Sequence, residues 1–230
     1  MQTIPIINLL YMAIPLSVVG YFYFRWTENK TEIFLATLRM CVQLIAIGYV
    51  LTSLFETRSM LLLSFLMLVM IVSSSLIARR HLKNKDIRTY MTVLFSIAFG
   101  GSVNLLLVLF FVLSLDNPFE PRFVIPLAGM LYANSMNAIS LVAERFDKEI
   151  LHNSYEKARR IAFKSSMIPQ INSFLAVGFV SLPGMMTGQI LSGADPMIAV
   201  RYQIVVMAMV LGSSGISNIM YLFFVKTQHD

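Results

Sequence analysis

Residues 183–189, which read Pro-Gly-Met-Met-Thr-Gly-Gln, are the part of the chain whose residue types could hold a solute. The thioethers of Met185 and Met186 and the amide of Gln189 are soft or neutral ligands for a metal ion. Methionine is also a common filler of apolar helices, and the chain has 16 of them. The segment is therefore a candidate for binding a metal or another solute, and packing is the alternative for its two methionines.

Pro183 predicts an interruption of the helix that carries this segment. If Pro169 starts that helix, Pro183 lies in its outer half, where it removes one backbone hydrogen bond. Freed backbone groups inside a membrane are tolerated only where protein or water covers them, and many transporters build a substrate site at such a break. Two interpretations remain: a broken helix that lines a cavity, and a simple kink that packs through Gly184 and Gly188.

A second polar set consists of Met130, Asn134 and Asn137, which share one face of a predicted helix. In lipid, amide side chains turn towards other helices or towards a wet cavity. We therefore expect these residues to line a substrate pathway together with Pro183 and the segment that follows it. Packing is the alternative, and the small residues Gly129 and Ala133, four positions apart, favour it.

Arg39 and Gln43 lie one turn apart near the predicted cytoplasmic end of the second apolar segment. A charged side chain in hydrocarbon is costly unless it reaches the headgroups or faces other helices. Arg39 therefore either extends to the inner headgroups or contributes, with Gln43, to an inner gate.

A basic amphipathic helix is predicted from about Ser154 to Ile168, because apolar and basic residues alternate there at helical spacings. Such a helix either anchors to the membrane surface or docks to a cytoplasmic partner. The candidate residues for contact with a partner are Tyr155, Lys157, Arg159, Arg160 and Lys164.

Several catalytic patterns are absent from the sequence. It contains no G-x-x-x-x-G-K-[ST] phosphate loop, no H-E-x-x-H zinc pattern and no G-x-S-x-G nucleophile elbow. Acidic residues lie in loops or at the ends of apolar segments, so no intramembrane carboxylate relay of the kind that proton-coupled transporters use is visible. Asp195, followed by Pro196, predicts a helix N-cap rather than a catalytic group.

The elements that position these residues are membrane helices. The chain of 230 residues is 57% hydrophobic and 13% charged, whereas an ordinary soluble domain has about 25% charged residues. The net charge of +6 does not indicate nucleic-acid binding, because the cations are confined to short segments between apolar runs. The composition predicts an all-α, polytopic membrane helix bundle in contact with the lipid bilayer.

About seven segments reach the roughly 20 apolar residues that a membrane-spanning helix needs. They are 4–24, 33–55, 60–78, 91–115, 123–143, 168–191 and 199–225. The alternate loops 25–32, 79–90, 144–164 and the tail after 225 carry fourteen basic residues, against three in the opposite set. By the positive-inside rule, the N-terminus is predicted outside and the C-terminus inside.

Three stretches resemble the FetB/YbbM family of ABC-transporter permeases, which is associated with export of iron or other metals. They are residues 39–51 (RMCVQLIAIGYVL), 125–136 (IPLAGMLYANSM) and 177–207 (VGFVSLPGMMTGQILSGADPMIAVRYQIVVM). The similarity extends more loosely over nearly the whole chain. One departure is that Glu144-Arg145 leads to Tyr155 without the acidic, Ala- and Leu-rich stretch that family members carry in this loop.

The resemblance implies a permease subunit that pairs with itself and works with a separate cytoplasmic ABC-type ATPase. The chain would then form one permease domain over residues 1–230, with the cytoplasmic segment 144–167 coupling it to the ATPase. No cofactor is expected on this chain, because ATP would be bound by the partner. The expected location is the cytoplasmic (inner) membrane of a bacterium. The alternatives are a membrane scaffold that translocates nothing, and a transporter of a phosphorylated or sugar-linked solute.

Overall fold

The computed structural model describes residues 5–27, 31–57, 59–80, 82–113, 115 and 117–229. A 3-10 turn, Leu10–Met12, connects the first two helices, and a π-helical segment, Val108–Val112, extends the fifth. Lys30 and Arg58, which contribute to the predicted loop charges, lie outside the described residues. The regular elements of the described part are all helices: α1 (Ile6–Leu9), α2 (Ala13–Thr27), α3 (Glu32–Thr57), α4 (Met60–Arg79), α5 (Ile87–Leu107), α6 (Pro121–Glu149), α7 (Tyr155–Ala176), α8 (Gly184–Leu191) and α9 (Pro196–His229).

The prediction of an all-α, polytopic membrane protein is confirmed. Among the described residues, six helical stretches are long and apolar enough to cross a membrane. They are Ile7–Thr27, Glu32–Phe55, Met60–Arg79, Ile87–Val112, Pro121–Glu149 and Pro196–Val225. These correspond to six of the seven predicted spans, and the remaining one, 168–191, is not a single helix.

The expectation that Pro169 starts a helix is wrong. Pro169 lies inside α7, which runs without interruption from Tyr155 to Ala176. Its ring is on an exposed side of the helix, so the lost backbone hydrogen bond disturbs only the turn before it. The predicted amphipathic helix and the start of the predicted span are therefore one helix of 22 residues, which is about 33 Å long.

The segment 144–167, predicted as a polar loop whose second half is a helix from about Ser154, is a helical hairpin, and the predicted helix is present as the start of α7. Two ion pairs between residues four apart stabilise the last turns of α6. Lys148 Nζ lies 2.7 Å from Glu144 Oε1, and the Arg145 guanidinium lies 2.8 Å from Glu149 Oε1. Only residues 150–154 connect α6 to α7. The charges that exclude this segment from the bilayer thus stabilise helix instead of loop.

The chain divides into two compact units, Met1–Thr57 and Arg58–Asp230. In the N-terminal unit, the Tyr23 hydroxyl at the end of α2 donates a hydrogen bond to Glu32 Oε2 at the start of α3, at 2.6 Å. In the C-terminal unit, α9 packs along α5 and α6, α4 packs on the same two helices, and α7 packs on α6 and α9.

Small residues allow the helices of the C-terminal unit to approach closely. A Cβ atom added at Gly100 of α5 would lie 2.8 Å from the backbone nitrogen of Ser217 in α9. At the next position, Gly101 packs against the ring of Tyr132 in α6. Such contacts hold helices together in lipid, where the hydrophobic effect does not drive their association.

Candidate functional site

The break that Pro183 predicts is present, and it is wider than a kink. After α7, Gly178 adopts φ +90° and donates its N–H to the carbonyl of Ser181 at 3.1 Å, which closes a short turn. Pro183 then occupies the N-cap position of α8 with φ −62° and ψ 146°. A proline fixes φ and disfavours helical conformation in the residue before it, so the chain starts a new helix at Gly184 instead of bending an old one.

The alternative of a kink packed through Gly184 and Gly188 is wrong for the described residues. A Cβ atom added at either glycine would have no heavy atom of a neighbouring element within 4 Å. α8 contains no buried residue. This short helix is therefore held loosely between α7 and α9.

Cavities lie against two faces of α8. Pro183 and Met186 line a cavity of about 330 Å³, whose other walls are Phe174, Val177, Gly178, Leu182, Val200, Gln203, Ile204, Met207 and Ala208. Met185 and Gln189, one turn apart, line a second cavity of about 350 Å³ together with residues of the π-helical segment, α6 and α9, among them Arg122 and Tyr202. The structure therefore separates the two methionines, because consecutive residues of a helix point in different directions.

The polar face of α6 is placed elsewhere. Met130, Asn134 and Asn137 are absent from the linings of both α8 cavities. The Asn134 amide donates to the carbonyl of Met130 in its own helix at 2.8 Å. Beside them, a Cβ atom on Gly129 would lie 3.2 Å from Cε of Met70 in α4, so this part of α6 packs against α4.

Arg39 and Gln43 belong to α3 in the N-terminal unit and are exposed. All other candidate residues belong to the C-terminal unit. The proposed role of this pair in an inner gate stays a prediction.

The basic candidates line a groove at the start of α7. Its volume is about 720 Å³, and it is lined by Tyr155, Lys157, Arg159 and Arg160 with Ser154, Glu156, Phe163, Ile219, Leu222 and Phe223. Lys164 is exposed on the same helix, outside that lining. We call this groove the basic groove.

Tyr155 connects three helices at the basic groove. Its hydroxyl donates a hydrogen bond to the carbonyl of Leu222 in α9 at 2.7 Å. Its ring meets the ring of Phe146 in α6 edge-on, with centroids 5.8 Å apart, and the Arg159 guanidinium lies 5.6 Å from its centre. The helical hairpin is therefore joined firmly to the bundle at this residue.

The predicted capping role of Asp195 is confirmed. Asp195 Oδ1 accepts hydrogen bonds from the backbone N–H groups of Met197 at 2.7 Å and Ile198 at 3.3 Å. These bonds satisfy two of the free donors at the start of α9.

Sequence reasoning missed a set of buried polar residues between α7 and α9. Ser166, Gln170, Ser214 and Asn218 are all at most 6% exposed. Their spacing of four residues within each helix was the available signal. It was masked because the helix that carries Ser166 and Gln170 was expected to be interrupted between them.

Among the described residues, no group of three or more His, Cys, Asp or Glu side chains could hold a metal ion. A metal site in this part of the chain would need neutral ligands, such as amide oxygens, hydroxyls and thioethers, for at least part of its coordination.

Comparison with known proteins gives a consistent result over most of the chain. A family model described as "Uncharacterised protein family (UPF0014)" matches residues 6–229. The chain is 32% identical over 207 residues to the UPF0014 membrane protein YjkA of Bacillus subtilis, covering 82% of this chain and 80% of that one. No solved structure matches.

Two further relatives have names that refer to metals. The chain is 28% identical over 213 residues to the probable iron export permease protein FetB of Escherichia coli, covering 84% of this chain and 81% of that one. It is 34% identical over 206 residues to the protein ALUMINUM SENSITIVE 3 of Arabidopsis thaliana, covering 82% and 73%.

Proposed function

The chain belongs to the UPF0014 family of membrane proteins, and on that premise we propose that it is the membrane-spanning permease subunit of an ABC transporter that exports iron or another metal ion. The observation that carries this proposal is the similarity to the probable iron export permease of Escherichia coli over 84% of the chain. The proposed location is the cytoplasmic (inner) membrane of a bacterium.

Energy for export would come from a second protein. The sequence has no phosphate loop, so ATP would be bound and hydrolysed by a separate cytoplasmic ATPase, and this chain would not be an enzyme. Two copies of the chain would pair and alternate between an inward-facing and an outward-facing state. The helical hairpin is the proposed coupling segment, because Tyr155 joins it to both α6 and α9 and a displacement there moves three helices together.

The proposed outer part of the substrate pathway is the space around α8. Two features support this choice: the helix lies between two cavities, and non-helical residues 177–183 and 192–195 separate it from α7 and α9. Pro183 and Met186 would line one side of the path, and Met185 and Gln189 the other. Met130, Asn134 and Asn137 stay candidates for a section of the path that opens in another state.

Transport by the reconstituted system tests the proposal. The chain and its cognate ATPase are placed together in liposomes, with the ATPase sites facing outwards, and Fe²⁺ uptake into the lumen is followed after addition of ATP. We expect uptake that requires both proteins and stops when a hydrolysis-deficient ATPase is used. Iron content that does not depend on ATP would contradict the iron assignment, and repeating the assay with sugar-linked and phosphorylated solutes would test the alternative cargo.

A second candidate function is a membrane scaffold that binds a cytoplasmic partner and translocates nothing. It is favoured by the volume of the basic groove, which exceeds that of either α8 cavity. The two functions differ in the residues that they require. A scaffold needs Arg159 and Arg160 but tolerates Met185→Ala and Gln189→Ala. If the chain is a permease, changes in either pair of residues should remove the metal resistance of the cell.

A further inference from the structure

Two hydrogen-bonded pairs cross the interface between α7 and α9. The Asn218 amide nitrogen donates to Ser166 Oγ at 2.9 Å and lies 3.7 Å from the sulfur of Met167. One turn away, the Gln170 amide nitrogen donates to Ser214 Oγ at 3.4 Å. We call the four polar residues of these two pairs the amide seam.

The amide oxygens of the amide seam have no partner. Asn218 Oδ1 and Gln170 Oε1 are both buried and accept no hydrogen bond from any described residue. Asn218 is 0% exposed and Gln170 is 6% exposed. An acceptor buried without a donor is destabilising, so packing alone does not account for these two side chains.

The amide seam leads to the cavity on one side of α8. Gln203 lies on the same face of α9 as Ser214, because a spacing of 11 residues is close to three helical turns. It lines the cavity beside Pro183, is 5% exposed, and also has an unpartnered Oε1. A third buried amide oxygen without a partner among the described residues therefore lies at that cavity, about three turns along α9 from the amide seam.

The opposite end of the α7–α9 interface reaches the basic groove. Phe163 of α7 and Leu222 of α9 line that groove, and each is within one turn of the Ser166–Asn218 pair. The amide seam thus occupies the stretch between a cavity at α8 and a groove at the start of α7. Both cavities are lined by residues of the two helices that the seam connects.

We propose that the amide seam is a binding site for a divalent metal cation in transit, with Gln170 Oε1 and Asn218 Oδ1 as its principal ligands. The site deepens the proposed function and rests on it for the identity of the cargo. A bound cation would interact with the amide oxygens that receive no hydrogen bond. Carbonyl-type oxygens suit ions such as Mn²⁺.

The neutral ligand set suits a transit site better than a storage site. Conduction requires binding that is favourable enough for entry and weak enough for release. Affinity for a divalent ion rises with the number of charged ligands, and the amide seam contains none. A carboxylate placed in the seam should therefore convert weak binding into tight binding, whereas a purely structural seam has no reason to gain affinity.

Mn²⁺ binding to the purified full-length protein in detergent tests this site. Free Mn²⁺ is measured by the amplitude of its electron paramagnetic resonance signal, which falls on binding. We expect Asn218→Asp and Gln170→Glu each to lower the Kd at least about tenfold. The matched control is Asn104→Asp on α5, an amide that donates to the carbonyl of Gly100 in its own helix at 2.9 Å, and it should leave the Kd unchanged.

Asn218→Leu tests the same site in a variant that is expected to fold. Leucine has a volume similar to that of asparagine, and the substitution removes both the unpartnered oxygen and the nitrogen. A buried apolar environment tolerates such a replacement. We expect Mn²⁺ binding to weaken at least about tenfold, because one of two principal ligands is lost. Unchanged binding in Asn218→Leu, or equal tightening in Asn104→Asp and the seam carboxylate variants, would overturn the proposal.

Iron export measured in parallel separates this proposal from the proposed function. If the wild-type protein binds Mn²⁺ in the amide seam but exports no iron, the proposed cargo fails and the site remains. If iron export proceeds normally in Asn218→Leu, the export function stands and the amide seam does not lie on its route.

Discussion

Gly178 decides how the chain leaves α7. Its φ of +90° is a left-handed conformation that other L-residues rarely adopt, and it allows the turn that ends before Pro183. Asp195 has the corresponding role at the start of α9, where its carboxylate caps the helix. Single residues of particular conformational or hydrogen-bonding type thus fix the two ends of the segment that contains α8.

At this scale we predict that Gly178→Ala destabilises the protein by about 1 kcal/mol or more, because a Cβ atom is strained at this φ. Nothing lies within 4 Å of that Cβ, so the cost is a backbone effect. The control, Gly188→Ala in α8, also meets no atom within 4 Å and has no positive φ. Denaturant unfolding in detergent should show a loss for the first variant and none for the second; equal stability of the two would contradict the role given to Gly178.

At the scale of elements, the C-terminal unit combines a tight pair of helices with a loosely held one. α5 and α9 approach so closely that Gly100 faces the backbone of Ser213 and Ser217. α8, in contrast, has no buried residue and lies beside two cavities. Bistable transport elements are drawn from the less stable parts of a structure, so α8 is the element expected to move while α5 and α9 stay together.

The tight pair gives a second prediction. Gly100→Ala would place its Cβ 2.8 Å from the Ser217 nitrogen and 2.9 Å from the Ser213 carbonyl oxygen, and we expect a loss of about 1–3 kcal/mol from overpacking. In the control, Gly215→Ala on α9, the nearest atom is Met167 Cε at 3.8 Å, an ordinary contact. Thermal unfolding in detergent should separate the two variants, and a Gly100→Ala protein as stable as Gly215→Ala would show that the helices can move apart at no cost.

At the scale of the whole molecule, the C-terminal unit carries both the α8 cavities and the basic groove, and Tyr155 links the groove to α6 and α9. A cytoplasmic partner that moved the helical hairpin would therefore act on helices that also line the cavities at α8. α9 is common to all of these sites, because its lining residues extend from Ile198 to Phe223.

The third prediction concerns the partner. Arg159→Glu combined with Arg160→Glu should weaken association with the cognate ATPase at least about tenfold, because charge reversal opposes an acidic docking surface. Lys85→Glu together with Arg88→Glu makes the same change in charge in another predicted cytoplasmic segment and serves as the control. Co-purification of the ATPase from detergent extracts measures the effect. An equal loss in both double variants would indicate a general charge effect and would count against docking at the basic groove.

The sequence by itself determined the membrane class and six of the spans, together with an interruption at Pro183 and the cap at Asp195. These features depend on local properties: the length of an apolar run, the fixed φ of proline, and a carboxylate next to free backbone donors. Neighbouring helices alter them little, so they can be predicted without knowing which helices pack together.

Only the tertiary structure decided which polar residues meet. It carried α7 through Pro169, placed Met185 and Met186 at different cavities, set Asn134 apart from α8, and paired Gln170 with Ser214. The direction of a side chain around its helix has a meaning only once the neighbouring helices and their register are known. That information is non-local, because the seam pairs join residues 44 and 52 positions apart in the chain.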